Sequence, residues 1–352
     1  MMGIKLSGAA RRVLNDSALI SVRDGWFGRL RRLFDGKDES ETVFAVNGIT
    51  GHSGDPSLLY SEPERWVVEC LENLAEHAEQ AENPDIFTPL CIQNGIFGVH
   101  YVDSIFGCNV FFEYGQWYSG YLDCEVGELP TPDINKSEAW QLTRRVTEAF
   151  VGANVKLPVY GLPTIASVLN IAVNMYGERI LTAMICEPGA AAHDLKIIND
   201  TLIELHRRMI AMLPADQLQP VIPDGRIQPP GFGQICGCTT QLISPACYGE
   251  MIAALDSELL GVYPNGGMMH LCGAHEHHIS VFRDMKNLRS VQLNDRASEG
   301  LAEYHSGLRP DQIIYLYPCD GMPAEKAVDI TRGECLALVG QYKINKSGKN
   351  NI

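Results

Sequence analysis

The chain has 352 residues, of which 45% are hydrophobic and 20% are charged, and its formal net charge is −15. This length suits one large barrel or two domains, and the composition is that of a globular protein. A surface with this excess of negative charge repels a polyanion, so we expect no nucleic-acid partner.

The apolar segments of the chain predict neither a membrane span nor a signal peptide. The longest of them, Ile165–Cys186, is interrupted by Asn170, Asn174, Glu178 and Arg179. The N-terminus lacks the continuous apolar run of a secretory signal. We therefore expect no membrane association and a cytoplasmic location, in which the eleven cysteines stay reduced and are mostly buried.

The first half of the chain predicts helices and strands without a regular order. Residues 1–40 predict a helical N-terminal extension, with a helix near Val22–Phe34. The β-branched segment Thr42–Val46 predicts a buried strand, followed by Asn47 and a polar loop that contains His52. Further along, the patterns predict a helix over Glu64–Gln80, a strand over Val110–Phe112 and a helix over Ser137–Val151.

From about Leu157 onward, predicted strands alternate with predicted helices through short connections, which is typical of βα units around a parallel sheet. These strands are Leu157–Tyr160, Gln234–Thr239, Gly267–Leu271, Ser290–Leu293, Ile313–Tyr317 and Cys335–Val339. There are about eight candidate strands in all, and no Gly-x-Gly-x-x-Gly or Walker loop. The sequence therefore predicts an α/β fold, a single (β/α)8 TIM barrel over residues 41–345, and a frayed tail over 346–352.

Side chains that bind metals occur at predicted strand ends, where barrel enzymes place their functional groups. His270 and Cys272 alternate on one strand, so both point the same way. Cys319, at another strand end, would complete a zinc site with one His and two Cys ligands and an open position for substrate. The alternative is that Cys272 and Cys319 are ordinary buried packing residues.

Other residues near these strand ends are weaker candidates. Cys236 and Cys238 share one face of the preceding strand, and either could be a ligand or a pocket wall. The run His275–His278 does not complete a His-Glu-x-x-His motif, so we expect an exposed first turn of a helix, although His275 could line the pocket. The residues predicted to bind substrate, from their places at strand ends, are Asn47, His52, Cys238 and Asp320.

Several segments resemble the uroporphyrinogen decarboxylase superfamily. The clearest is Gly267–Gly273, which contains His270 and Cys272 and follows Leu242–Pro245 and a helix. Also similar are Leu157–Pro163, the helix that follows Glu187 and Pro188, and the stretch from Gly95 to Gly107. The resemblance extends over about residues 40–330 and implies a single (β/α)8 barrel.

Within that superfamily, the chain resembles the zinc-dependent cobalamin (corrinoid) methyltransferases. These proteins carry a His-x-Cys pair and a distant Cys as zinc ligands, a pattern that His270, Cys272 and Cys319 match. The resemblance implies methyl transfer between a small-molecule donor or acceptor and a corrinoid on a separate methyl-carrier protein, or a thiol or folate acceptor.

Two alternatives to this methyltransferase interpretation stay open. One is a decarboxylase-like lyase that acts on a tetrapyrrole acid, although Val46–Ser53 has no Arg of the kind that binds substrate carboxylates in those enzymes. The other is a non-catalytic paralogue that binds a tetrapyrrole or a corrinoid, which the shortened C-terminal region suggests.

Overall fold

A computed structural model describes residues 5–38, 42–220, 222 and 225–340. The strands are β1 Phe44–Val46, β2 Ile49–Thr50, β3 Leu90–Gln93, β4 Val110–Glu113, β5 Gln116–Ser119, β6 Val159–Gly161, β7 Leu218–Gln219, β8 Gly233–Cys236, β9 Gly267–Cys272, β10 Leu288–Asn294, β11 Ile313–Leu316 and β12 Leu336–Val339. The first eight α-helices are α1 Gly8–Val13, α2 Ser17–Phe34, α3 Leu58–Ser61, α4 Pro63–Glu76, α5 Tyr101–Ile105, α6 Glu138–Ala153, α7 Val168–Tyr176 and α8 Glu178–Cys186. The later ones are α9 Pro188–Met212, α10 Pro245–Met251, α11 Ala253–Leu260, α12 Ile279–Asp284, α13 Arg296–Glu299, α14 Leu301–Gly307 and α15 Ala324–Thr331. Short 3-10 helices span Ala78–Glu82, Gly98–His100, Ile134–Lys136, Cys238–Leu242 and Glu276–His278.

Two parallel sheets form the framework of the fold. The larger has the strand order β1-β12-β11-β10-β9-β8, and the smaller has the order β2-β3-β6-β7. Every strand pairing in both sheets is parallel, whereas β4 and β5 form a separate antiparallel hairpin. Helices connect the successive parallel strands from β8 to β12, in the alternation that the sequence predicts.

Polar side chains fix the starts of several helices. Asp16, Ser137 and Ser244 precede α2, α6 and α10, and each accepts a hydrogen bond from a backbone N–H two or three residues later. Each cap pairs an N–H that has no partner inside the helix, which is typically worth about 1 kcal/mol. None of the described helices combines the length and the apolar character needed to cross a bilayer.

The two sheets meet where the chain passes from β1 to β2, around Asn47. Val46 forms a parallel bridge with Phe87, and the Asn47 N–H donates to the Phe87 carbonyl at 2.9 Å. The chain then pairs again as β2, Ile49–Thr50. Asn47 therefore directly follows β1, as predicted, and is hydrogen-bonded to the segment before β3.

One buried cluster joins side chains of both sheets. It contains apolar residues of β1, β3, β6, β9, β11 and β12, together with Phe27, Leu30 and Phe34 of α2. The ring of Phe34 packs on Phe232 and Tyr315, with centroids 4.6 and 6.3 Å away. Because Phe232 immediately precedes β8, helix α2 covers the cluster near the amino end of that strand.

A segment between β7 and β8 also enters this interior. Ile222 and Ile227 are buried members of the same cluster. The Tyr315 hydroxyl donates to the Ile227 carbonyl at 2.9 Å, and the Ile222 N–H donates to Gln93 Oε1 at 2.9 Å. Tyr315 and Gln93 belong to different sheets, so the segment is held from two sides.

The sequence-based expectations for the fold are confirmed at the level of class. The protein is α/β with mostly parallel sheets, and the helix predicted near Val22–Phe34 is α2, which begins earlier, at Ser17. A closed eight-stranded barrel is not seen, because no ladder joins β7 to β8 among the described residues. The boundaries at residues 40 and 345 stay predictions, and the predicted tail at 346–352 lies outside the described residues.

Shortening Phe34 tests whether α2 is an integral part of the core. Because Phe34 is 1% exposed, Phe34→Ala is expected to lower the free energy of unfolding by about 3–5 kcal/mol through lost burial and a residual cavity. Val22→Ala, at an exposed position of the same helix, is the matched control and is expected to change it by less than about 0.5 kcal/mol. Urea denaturation followed by circular dichroism measures both, and equal small effects would show that α2 packs loosely.

Candidate metal centre

The register of three neighbouring strands builds the candidate centre. Cys236 on β8, His270 on β9 and Gln292 on β10 occupy directly paired positions. Two residues further along, Cys272 is paired with Asn294. Paired positions share a face of the sheet, and side chains two residues apart return to that face. Both rows of side chains therefore point to the same side, at the carboxyl ends of the strands.

Cys238 lies beside Cys272 where the chain leaves β8. The Gly237 N–H donates to the His270 carbonyl at 2.8 Å, which extends the strand pairing by one residue before the 3-10 helix begins. The Sγ atoms of Cys238 and Cys272 are 2.9 Å apart. Together with a ring nitrogen of His270, these sulfurs form a group whose donor atoms all lie within 4.8 Å of one another.

Two buried histidines hydrogen-bond to the backbone next to this group. His275 Nε2 donates to the Cys272 carbonyl at 3.0 Å, and His278 Nε2 donates to the Thr240 carbonyl at 2.8 Å. Both side chains are fully buried, so the exposed turn expected for His275–His278 is wrong for these two residues. Burial lowers the pKa of both rings, that of His278 to about 4, so they act as neutral donors that fix the backbone on either side of the centre.

Gln292 orients the ring of His270. The Nδ1 of His270 donates a hydrogen bond to Gln292 Oε1, and the histidine is only 9% exposed. With its proton on Nδ1, a neutral imidazole keeps the Nε2 lone pair that a metal ion requires. Sequence reasoning did not identify Gln292, although alignment of β9 with β10 places it directly opposite His270.

The two thiols of the pair have different acidities. The pKa of Cys272 is lowered, chiefly through its hydrogen bond with Cys238. The pKa of Cys238 is raised by the same hydrogen bond and by burial, which disfavours its charged form. Cys272 is therefore the thiol of the pair that more readily loses its proton, as a thiol that binds a metal must.

The donor set of this group suits zinc. An imidazole nitrogen and two thiolate sulfurs are ligands that zinc prefers, whereas magnesium and calcium prefer oxygen. Two thiolates balance the charge of a divalent ion. Three protein ligands are also the number found in catalytic zinc sites, which keep a fourth position for water or substrate.

Cys319 does not belong to this group. The chain turns after β11, and the turn is closed by backbone hydrogen bonds in both directions between Cys319 and Met322, at 3.0 and 3.1 Å. The Cys319 Sγ faces the carbonyl of Asp295 at 3.9 Å. The second sulfur near His270 comes from Cys238, which lies just after β8, and not from a strand that follows β9.

The other predicted site residues lie apart from the metal group. His52 and Asp320 are exposed. Asn47 lines a separate cleft with Glu79, Glu82 and other residues, and none of the three metal-binding candidates contributes to that cleft. Of the four residues predicted to bind substrate, only Cys238 belongs to the group that could hold a metal ion. Asn294, to which the sequence analysis gave no role, lies beside Cys272.

Comparisons with known proteins give a structural similarity without a sequence match. No protein-family model matches the chain, and no curated protein matches it in sequence. The structure is similar to that of a "methyltransferase from Methanosarcina mazei", with a TM-score of 0.63 at 11% sequence identity. The similarity covers 89% of this chain and 92% of the other. At this identity, the two proteins share a fold.

Exchange of single cysteines tests which sulfurs bind the metal. Cys238→Ser is expected to weaken zinc binding by more than the 10–100-fold (about 1.4–3 kcal/mol) typical of losing an outer hydrogen-bond partner, because it removes a ligand. Cys319→Ser is expected to bind zinc as tightly as the unmodified protein, and the exposed Cys186→Ser serves as a general cysteine control. Competition with a chromogenic chelator measures the affinity. A loss of binding in Cys319→Ser with retention in Cys238→Ser would reverse the assignment.

The hydrogen bond from His270 to Gln292 can be tested separately from the ligands. Gln292→Leu removes the acceptor at nearly constant volume, and it is expected to reduce zinc affinity about 10–100-fold because the His270 ring loses its fixed orientation. Gln292→Glu keeps an acceptor at the same place and is expected to recover most of that loss. The same chelator competition gives both values, and equal affinity of the Leu and Glu variants would show that Gln292 does not orient the ligand.

Proposed function

We propose that this protein is a zinc-dependent methyltransferase that moves a methyl group between a small molecule and a corrinoid, or a thiol or folate acceptor. The observation that carries the proposal is the group formed by Cys238, His270 and Cys272, three nitrogen and sulfur donors that leave one zinc position free. It lies at the carboxyl ends of parallel strands, in a chain whose fold is similar to that of a protein named a methyltransferase.

A resident zinc ion would supply one kind of chemistry here: it lowers the pKa of a thiol bound at the open position, or polarises an oxygen that carries a methyl group. The residues of the chain itself would position the metal ligands and the substrate. Gln292 keeps the Nε2 of His270 available, and His275 anchors the backbone of Cys272. Asn294 lies beside Cys272 on the next strand and can hydrogen-bond a group held there.

The proposal includes the fold and setting that the resemblance implies. We propose a barrel of the uroporphyrinogen decarboxylase type, supported by the buried clusters that draw on strands of both sheets. The corrinoid would be carried by a separate methyl-carrier protein that docks at the carboxyl edge of the strands. The setting would be the reducing cytoplasm, in keeping with eleven free cysteines.

The filled interior favours a small substrate over a tetrapyrrole. Ile222 and Ile227 are buried in the cluster that joins the two sheets, where the Ile222 N–H donates to Gln93 and the Ile227 carbonyl accepts from Tyr315. A tetrapyrrole acid would need both this space and several cations for its carboxylates. The decarboxylase-like alternative is therefore less well supported than methyl transfer.

Methyl transfer to free cob(I)alamin tests the proposed function. Zinc-loaded protein is mixed with reduced cobalamin and a panel of methanol, methylamines, methylated thiols and methoxylated aromatic compounds, and the visible spectrum reports methylcobalamin. We expect formation from at least one donor, loss of that activity in Cys272→Ser and in metal-stripped protein, and full activity in the control Cys186→Ser. Formation that is independent of both zinc and Cys272, or decarboxylation of uroporphyrinogen, would contradict the proposal.

A further inference from the structure

The two sulfurs of the candidate centre are close enough for a second kind of chemistry. The Sγ atoms of Cys238 and Cys272 lie 2.9 Å apart, and both side chains are partly accessible. We propose that this pair is also a reversible oxidation site, at which a hydroperoxide joins the two sulfurs in a disulfide. As a consequence, oxidation would remove two of the three metal ligands. That consequence rests on the proposed zinc centre, whereas the disulfide itself does not.

The pairing of β8 with β9 brings the two cysteines together. Cys236 is paired with His270, and the Gly237 N–H bonds to the His270 carbonyl, so Cys238, the next residue, lies beside Cys272 at the end of β9. Paired strands lie about 4.7–4.9 Å apart, a spacing compatible with the about 4.4–6.8 Å that Cα atoms of a disulfide span. The sulfurs need to approach by only about 0.9 Å to reach the bonded distance of about 2.05 Å.

Metal binding and disulfide formation exclude each other at this site. In a tetrahedral zinc centre with Zn–S bonds of about 2.3 Å, two sulfur ligands are about 3.8 Å apart. Zinc would therefore hold the Cys238 and Cys272 sulfurs well beyond the bonded S–S distance of about 2.05 Å. It would also occupy the electron pairs with which they attack an oxidant. Zinc should protect the pair, and loss of zinc should expose it.

Nearby cysteines have other contacts. The Cys236 Sγ lies 3.8 Å from Nη1 of the buried Arg226, and the Cys319 Sγ lies 3.9 Å from the Asp295 carbonyl. Each of these thiols is engaged with a different neighbour, so the geometry favours the Cys238–Cys272 pairing over an exchange among four sulfurs.

The reaction balances with hydrogen peroxide, the simplest hydroperoxide, as the oxidant. One thiolate attacks a peroxide oxygen, the O–O bond breaks, and a sulfenic acid and a hydroxide are formed. The second sulfur then attacks the sulfenic sulfur and displaces its hydroxyl group as hydroxide, which forms the S–S bond. The protons of the two thiols convert both hydroxides to water, and the two sulfurs together give two electrons to the peroxide. A dithiol reductant reverses the reaction by thiol–disulfide exchange.

Peroxide treatment of zinc-loaded and metal-free protein tests the inference. Peptide mass spectrometry locates the disulfide, a chromogenic chelator counts released zinc, and a thiol reagent counts the remaining thiols. We expect a Cys238–Cys272 disulfide, loss of two thiols and release of one zinc for each disulfide formed, faster oxidation of the metal-free form, and recovery of zinc binding after dithiothreitol. The control Cys186→Ser should behave like the unmodified protein, and Cys272→Ser should form no disulfide at Cys238.

The outcomes separate this inference from the proposed function. Oxidation of Cys238 or Cys272 to sulfinic acid without a disulfide between them would overturn the inference, even if zinc binding and methyl transfer were found. A reversible Cys238–Cys272 disulfide in a protein that never binds zinc would support the oxidation site and contradict the zinc enzyme.

Discussion

The pairing of β8, β9 and β10 is the constraint on which the candidate centre depends. It places Cys236, His270 and Gln292 in one row and Cys272 and Asn294 in the next. A slip of one residue in either pairing would turn a whole row to the opposite face of the sheet. The ligand geometry is thus set by backbone hydrogen bonds that repeat along each strand, which makes it more rigid than a site built on loops.

The packing below the centre supports this register. Buried side chains of both sheets and of α2 meet in one cluster, and the segment around Ile222 and Ile227 is hydrogen-bonded inside it. An interior filled by protein atoms resists compression and keeps the strands at fixed separations. Because this interior is filled, the candidate centre lies at the carboxyl ends of the strands. There His275 and His278 hydrogen-bond to the backbone carbonyls of Cys272 and Thr240.

The sequence allowed two members of the group formed by Cys238, His270 and Cys272 to be predicted as one site, but not the third. His270 and Cys272 follow from the two-residue period of a strand, which is a local property. The choice between Cys238 and Cys319 depends on how far β8 stays paired beyond Cys236 and on the turn after β11, and neither is encoded locally. Asn47 does follow a strand, as its Asn-Gly sequence suggested, but the sequence did not show that it lines a cleft apart from Cys238, His270 and Cys272.

Candidate ligands from neighbouring parts of one sheet have a chemical consequence that ligands from distant strands do not. The sulfurs of Cys238 and Cys272 lie 2.9 Å apart, so the proposed metal centre would need little ordering of the chain. The same closeness underlies the disulfide proposed for this pair. A third ligand on a remote strand would be less preorganised for zinc binding. It would also leave no second sulfur close enough to form a disulfide with Cys272. The strand that supplies the third ligand therefore determines both how readily the centre forms and how it can be inactivated.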